Sequence, residues 1–539
     1  MAIIRPSTPL SVALSGPCPD VVVVGGGGSG AVLAARLSED SDRTVLLLEA
    51  GRGPGSFGRE LIDARLVPGA RPAHPDTLAY DVRLTAQRPW AVPRGRVLGG
   101  STTVNGGYFI RARSADFARW AAAGNPAWAY ERVLPFLRAL ETDLDHLAGP
   151  GSVPVPGLLH GDRGPVQVRR APLKHPAARA LREAAHVLGF PAEPDKNAQA
   201  TPGFGPVPSN SVDGVRRNTA LSYLTPDVLD RPNLTVLGDC TVRRIITAGN
   251  RTTGVAVEHE GALTVLPAAS VVLSAGAFGS AHLLLLSGIG PRADLERLGV
   301  PVVRDAPAVG SRFSDHPQVV LDFRFRDDPG EPRDSWLGGS LHLVSSDCPR
   351  GPGNLEILQS LVPMEGLVRG VTHVPGAPLP LLVSDQTPRP TGRLRLRSPE
   401  PTVPPRIDYN YLSTSNDMRR LREAVRSAAA LLQVPSLADL AASPAPLAPS
   451  AHVLAEDKGL DDWIRGSLGT AQHTCGTVPM GPVDAPEIAA VDQWGRVHGV
   501  RGLRVADTSI LPDAPQRGPA ATAVLIGELI ADAVRRDLP

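Results

Sequence analysis

Four consecutive valines, Val21–Val24, run straight into Gly25-Gly26-Gly27-Gly28-Ser29-Gly30, and no other feature restricts the fold of this chain so strongly. An unbroken β-branched run reads as a strand buried on both faces. Ser29–Leu37 reads as a helix of small and apolar residues, and Thr44–Leu48 (TVLLL) as a second buried strand, so the three make a βαβ unit. Gly25, Gly27 and Gly30 allow a tight turn and close approach of backbone N–H groups to a pyrophosphate at the helix start. Glu49 closes the second strand, where a carboxylate accepts hydrogen bonds from the ribose hydroxyls of an adenosine. At this level either FAD or NAD would fit.

The bulk properties narrow the partner. A chain of 539 residues is long enough for two domains or one large composite unit. Lys+Arg of 55 against Asp+Glu of 54 leaves a formal charge of +1, so no strong field draws nucleic acid or an anionic membrane. A small-molecule partner is expected. Cys18, Cys240, Cys348 and Cys475 form no CxxC pair, which argues against a disulfide framework and against a zinc site, and no metal is expected. Residues 1–19 lack the sustained apolar run of a signal peptide. The longest apolar stretches fall far below the roughly 20 residues of a spanning helix. A cytoplasmic location is expected, or a peripheral one at the inner membrane face.

Along the chain, residues 52–98 are rich in Gly, Pro and Arg with little periodicity, and long irregular connections of that kind usually serve a site. Helical patterning returns in Ala115–Leu140 and Pro176–Leu188. Asn233–Ala256 reads as paired strands, and Ser270–Ser274 as a third buried strand before an apolar helix. Residues 317–464 differ in texture, with alternation in Gly392–Arg397 and a helix over Asp417–Leu432. Leu503–Ala506 and Ala521–Arg535 return to a strand and a helix of the first type. The expected division is 1–160, 211–316 and 465–539 for a nucleotide domain, interleaved with 161–210 and 317–464 for a substrate domain.

The segment Gly95-Arg96-Val97-Leu98-Gly99-Gly100-Ser101-Thr102-Thr103-Val104-Asn105-Gly106-Gly107 decides between the cofactors. It resembles the first signature of the glucose-methanol-choline (GMC) flavoenzymes. A second signature lies at Gly276–Gly290, departing at Ala281, where the family usually has Pro or Ser. Val309-Gly310, Asp315-His316-Pro317, Arg406–Leu412 (RIDYNYL) and Gly502–Pro512 (GLRVADTSILP) extend the resemblance. It implies an α/β fold in which an FAD/NAD(P)-binding Rossmann-like domain is interleaved with a sheet-containing α+β substrate domain that covers the flavin. It also implies FAD as cofactor, held by Gly25, Gly27, Gly28, Ser29, Gly30, Glu49, Ala50, Arg96, Gly99, Gly100, Ser101, Val104, Asn105, Gly106, Gly107, Val242, Ala275, Gly276, Asp507, Thr508 and Gly518. Thr103, Val104 and Asn105 stand where some relatives carry the histidine or cysteine that anchors FAD covalently, so the FAD is expected to be dissociable.

Hydride transfer from an alcohol leaves a carbonyl, and a base must take the hydroxyl proton. Imidazole suits that role near neutral pH. Gln472–Gly481 resembles the family's catalytic segment and makes His473 the proton acceptor, while His316 is read as structural and His74, His146 and His160 as loop residues without a role. Gly518 falls where the family usually carries a second His or Asn, and Arg517 or Gln516 is a candidate substitute. Arg517–Thr522 and Gln472–Thr474 look similar to the mycofactocin-associated branch, which would make a reduced peptide-derived redox cofactor the donor and a respiratory or quinone-like carrier the acceptor. Two rivals stand beside this: a small-alcohol or choline-type oxidase using oxygen, and a lyase keeping FAD without redox turnover.

Overall fold

The computed structural model describes residues 18–55, 57–147, 159–348, 351–389 and 391–537. The first seventeen residues, on which much of the leader expectation falls, lie outside that set. At the centre is a five-stranded parallel sheet in the order Leu234–Leu237, Val45–Leu48, Val21–Val24, Val271–Leu273, Leu503–Val505. Every residue of the three strands Val21–Val24, Val45–Leu48 and Val271–Leu273 is buried, as helices on both faces require of a doubly wound sheet. The helices Gly30–Leu37 and Ala520–Asp537 pack together on one side, and Gly527 presses against Val32, an approach that a larger residue would block.

A six-stranded antiparallel sheet forms the second layer, in the order Gly469–Thr470, Pro317–Phe323, Leu379–Asp385, Leu355–Ser360, Leu337–Leu343, Phe204–Pro206. Its two faces differ. Val319, Leu321, Leu381, Val383 and Ile357 join the main core with Met418, Leu421 and Val425 of the long helix Ser415–Leu432. Val320, Leu358 and Leu382 point the other way and pack with Trp336 and Tyr108. Thr414 caps that long helix in a reciprocal box with Asp417, which fixes its start close to the expected one.

Three expectations are corrected. Residues 52–98 are not mainly irregular, because Thr77–Thr85 and Arg88–Gly95 form an antiparallel hairpin joined to Arg406–Asp408. Leu234–Leu237 is not paired with the strand that follows it; it lies parallel to Val45–Leu48, while Thr241–Ala248 pairs with Arg251–His259. Ala115–Leu140 is two helices, Ser114–Ala122 and Tyr130–Ala139, broken at Asn125-Pro126. No helix is long and apolar enough to cross a membrane, among the described residues.

Candidate active site

The expected cofactor residues converge at the carboxyl ends of the parallel strands, the position a doubly wound sheet offers to ligands. Gly25 N–H donates to the Leu48 carbonyl (2.7 Å) and Gly99 N–H to the Gly26 carbonyl (2.8 Å), which brings the first signature onto the glycine turn. Glu49 lies beneath them. Its two carboxylate oxygens accept from Gly26 N–H and Gly51 N–H, each at 2.8 Å, and burial pushes the group up to about 7. The exposed Arg96 crosses the same strand end and donates to the Ala50 carbonyl (3.1 Å). Val242 is buried beside it, two residues past Cys240, whose N–H is bonded to the Glu49 carbonyl.

Asp507 ties the far side together. It accepts from Gly276 N–H (2.9 Å), Ser280 Oγ (2.5 Å) and Ser509 N–H (2.9 Å), so Ala275-Gly276 and Thr508 are brought to one place, and burial raises its carboxyl. Asn105 Oδ1 accepts from Gly107 N–H, Trp336 Nε1 donates to the Gly106 carbonyl (2.8 Å), and Val104 is buried in a short turn of helix from Ser101. The Ser29 hydroxyl donates to the Ala523 carbonyl (2.6 Å), fastening the glycine turn to the last helix.

His473 is held by a buried carboxylate that sequence reading left without a role. Asp315 accepts from His473 N–H (2.7 Å), Thr474 Oγ1 (2.6 Å), Thr470 Oγ1 (3.2 Å) and His316 N–H (2.7 Å), so one side chain fixes the segment from Thr470 to Thr474. Thr474 is further bonded to Tyr409 and Arg94. The Nδ1 of His316 lies 2.9 Å from Nδ1 of His473. Only one of two facing nitrogens can carry the proton. Nε2 of His316 is buried without a hydrogen-bond partner. When the shared proton sits on His473 Nδ1, the Nε2 of that ring is the unprotonated nitrogen. Burial holds both rings below the usual imidazole range, His473 down to about 4, so both are neutral at neutral pH.

Nε2 of His473 faces Gly518. A Cβ built on Gly518 would stand 3.4 Å from it and 3.9 Å from Ile110 Cγ2, so position 518 lies beside the imidazole and brings no side chain to it. Of the two suggested substitutes, the Arg517 side chain is engaged elsewhere, donating to Glu193 Oε1 (2.8 Å) and the Lys196 carbonyl (2.6 Å), while Gln516 is bonded to Asp116 through its main-chain N–H and its buried Oε1 has no partner.

The family models for GMC oxidoreductases match residues 19–318 and 388–527 of this chain. The chain belongs to the GMC oxidoreductase family. Among its relatives, an uncharacterised GMC-type oxidoreductase of Rhodococcus erythropolis is 39% identical over 516 residues, covering 94% of this chain and 97% of that protein. The 5-(hydroxymethyl)furfural oxidase of a Methylovorus strain is 33% identical over 546 residues, covering 96% and 98%. The crystal structure of pyridoxine 4-oxidase from Mesorbium loti is similar with a TM-score of 0.86 at 28% identity, over 96% of this chain and 99% of that one.

As a GMC oxidoreductase the chain is an FAD-dependent enzyme acting on CH–OH donors, and its residues fit that cofactor. Around Gly27 and Gly276 a Cβ would meet nothing closer than 3.8 Å, so the turn presents bare backbone to an open space. Asn218 Nδ2, Ser509 Oγ and Thr522 Oγ1 are buried without a protein partner around the same loops, as polar atoms that answer a ligand would be.

His160 lies in a loop, as expected, but is buried. Its Nδ1 lies 2.9 Å from Glu141 and Asp143 and its Nε2 2.8 Å from Asp195, the first two carboxylates forming with it the one group of metal-ligand spacing among the described residues. Arg111 and Arg170 already pair with those carboxylates. Burial opposes charge on the ring, yet hydrogen bonds to Asp143, Asp195 and Glu141 raise its pKa to about 10, so the group is an ion-pair network with a protonated histidine at its centre.

Proposed function

We propose that this chain is an alcohol dehydrogenase in which His473 Nε2 takes the hydroxyl proton while the carbinol hydride leaves to FAD. Bound FAD supplies the hydride acceptor. The observation that carries the reading is the position of His473 Nε2 next to Gly518, on a ring whose opposite nitrogen is engaged by His316. A neutral base needs no prior deprotonation. The Asp315 charge raises the proton affinity of the ring, but burial outweighs it and keeps the imidazole neutral. Anaerobic mixing with a primary alcohol should bleach the flavin absorbance. Catalysis of a non-redox cleavage with unbleached flavin would instead support the lyase reading.

The pH dependence follows from the depressed His473 value. A base with a folded pKa of about 4 is unprotonated above it, so the rate of flavin reduction should stay flat from mildly acidic to neutral pH and fall only as pH drops towards 4. A stopped-flow profile with an acid limb centred near the ordinary imidazole value would contradict the assigned environment.

FAD should be released intact by acid or heat, because Thr103, Val104 and Asn105 offer no residue for the usual covalent link. Yellow colour remaining on the denatured polypeptide would refute that. The electron acceptor is proposed to be respiratory or quinone-like, since position 518 lacks the second polar side chain beside the base. Mixing the anaerobically bleached enzyme with air-saturated buffer decides this point; rapid recovery of colour with stoichiometric peroxide means an oxidase. The narrower donor, reduced mycofactocin, is supported by the Gln472–Thr474 and Arg517–Thr522 runs and is tested in the same anaerobic experiment.

A further inference from the structure

Strand register places one side chain from each of four adjacent strands in a single polar row. Gln318 pairs with Ser384, Ser384 with Glu356 and Glu356 with His342, and residues directly opposite on paired strands share a face. The next row on that face is Val320, Leu382, Leu358 and Ser340, which packs with Trp336 and Tyr108 against the Asn105–Gly107 turn. The polar row therefore lies on the wall facing the candidate active site. It begins two residues from His316, the partner of the base.

Glu356 is the centre of this wall. Its Oε1 accepts from Tyr108 Oη and Ser340 Oγ, both at 3.0 Å, and His342 Nε2 stands 3.3 Å away without an aligned bond. Its Oε2 accepts only from Gln386 Nε2 (3.0 Å), which leaves that oxygen one free lone-pair direction. Gln386 is locked in orientation, because the same Nε2 also donates to Ser384 Oγ (2.6 Å). Its Oε1 has no donor although the residue is 1% exposed. A buried acceptor without a donor is costly unless a ligand answers it. Gln386 Oε1 is such an acceptor, and beside it the singly bonded Glu356 Oε2 can take one more donor.

Charge refines the match. Lys196 Nζ reaches His342 Nδ1 (3.0 Å) and Glu193 (2.9 Å), and Arg113 and Arg517 both pair with Glu193, so the connected set holds three cations against the two carboxylates Glu193 and Glu356. That surplus disfavours a cationic ligand.

We propose that Glu356 and Gln386 recognise the remote end of the substrate and select neutral alcohols carrying a second O–H or N–H group. The inference rests on the alcohol-oxidation reading for the position of the reacting carbon. A substrate held at that end also gains the orientation that Gly518 does not supply.

The test compares benzyl alcohol, para-hydroxybenzyl alcohol and choline on the FAD-loaded enzyme under anaerobic conditions. Binding is read as the perturbation of the flavin spectrum and turnover as its bleaching. The donor-bearing alcohol should exceed benzyl alcohol by about tenfold or more in kcat/KM and in affinity, the effect of one hydrogen bond to a buried charged acceptor, and choline should be the poorest. Glu356→Gln and Gln386→Met should each collapse that ratio towards one. Equal constants for the two benzyl alcohols, a ratio unchanged in both variants, or choline as the best ligand would overturn the proposal. If Glu356→Gln fails to load flavin, Gln386→Met alone decides. If no alcohol bleaches the flavin, the oxidation reading fails, while the ratio of affinities still tests the wall.

Discussion

Replacing His473 by alanine should leave a folded, flavin-loaded protein whose flavin is reduced on the order of 10²- to 10⁴-fold more slowly, the span expected for loss of a positioned general base. Folding should survive because the links that organise the segment do not use the imidazole. Asp315 holds it through the His473 main-chain N–H, Thr474 Oγ1 and Thr470 Oγ1, all of which remain. What is lost is Nε2, along with the bond to His316. His473→Asn should slow the reaction comparably, since a carboxamide fills part of the space without a basic nitrogen. The measurement is single-turnover bleaching under anaerobic conditions, with flavin content determined on the same sample. A rate within a few-fold of the parent would remove His473 from the mechanism.

Much of the nucleotide half is legible in the sequence because its physics is local. Val21–Val24 must be buried on both sides, the glycines must turn, and Glu49 must follow its strand, so each position announces its role. The hairpin at Thr77–Gly95 is not legible for the opposite reason. It is exposed over much of both faces, carries Pro89 and Pro93, and so shows no clean alternation of apolar and polar residues. Leu234–Leu237 reads correctly as a strand, yet its partner is chosen by the tertiary sheet rather than by the neighbouring sequence. The same limit applies to the site. The Asp315-His316-Pro317 motif is visible, but the contact of His316 with His473 spans 157 positions and depends on two rings meeting across separate elements. Gly518 is legible as an absence, and the structure puts that absence next to His473. Glu356 was not legible at all, because a lone acidic residue in an apolar strand acquires meaning only from register.

Gly27 and Gly30 separate what the fold requires from what the cofactor requires. At Gly30 a Cβ would overlap the Gly25 carbonyl, so Gly30→Ala must distort the turn whether or not a ligand is present. That variant should lose flavin and thermal stability together. At Gly27 the nearest atoms to a built Cβ are Gly100 Cα at 3.8 Å and the Ser274 carbonyl oxygen at 4.0 Å, which is ordinary contact, and the residue does not have the positive φ that only glycine adopts easily. The protein alone therefore tolerates a side chain there. A bulky one such as Gly27→Leu projects into the space where backbone N–H groups approach the pyrophosphate, and a steric intrusion into a fitted site costs roughly 1–3 kcal/mol or more, about 10- to 100-fold in affinity at the least. The expected result is a soluble protein with parent-like circular dichroism, purified without its yellow colour and recovering little of it on incubation with FAD. Gly27→Ala should fall between this and the parent. If Gly27→Leu keeps a full complement of flavin, the cofactor does not lie against this turn; if it unfolds as Gly30→Ala does, the turn is needed for the fold before it is needed for the ligand.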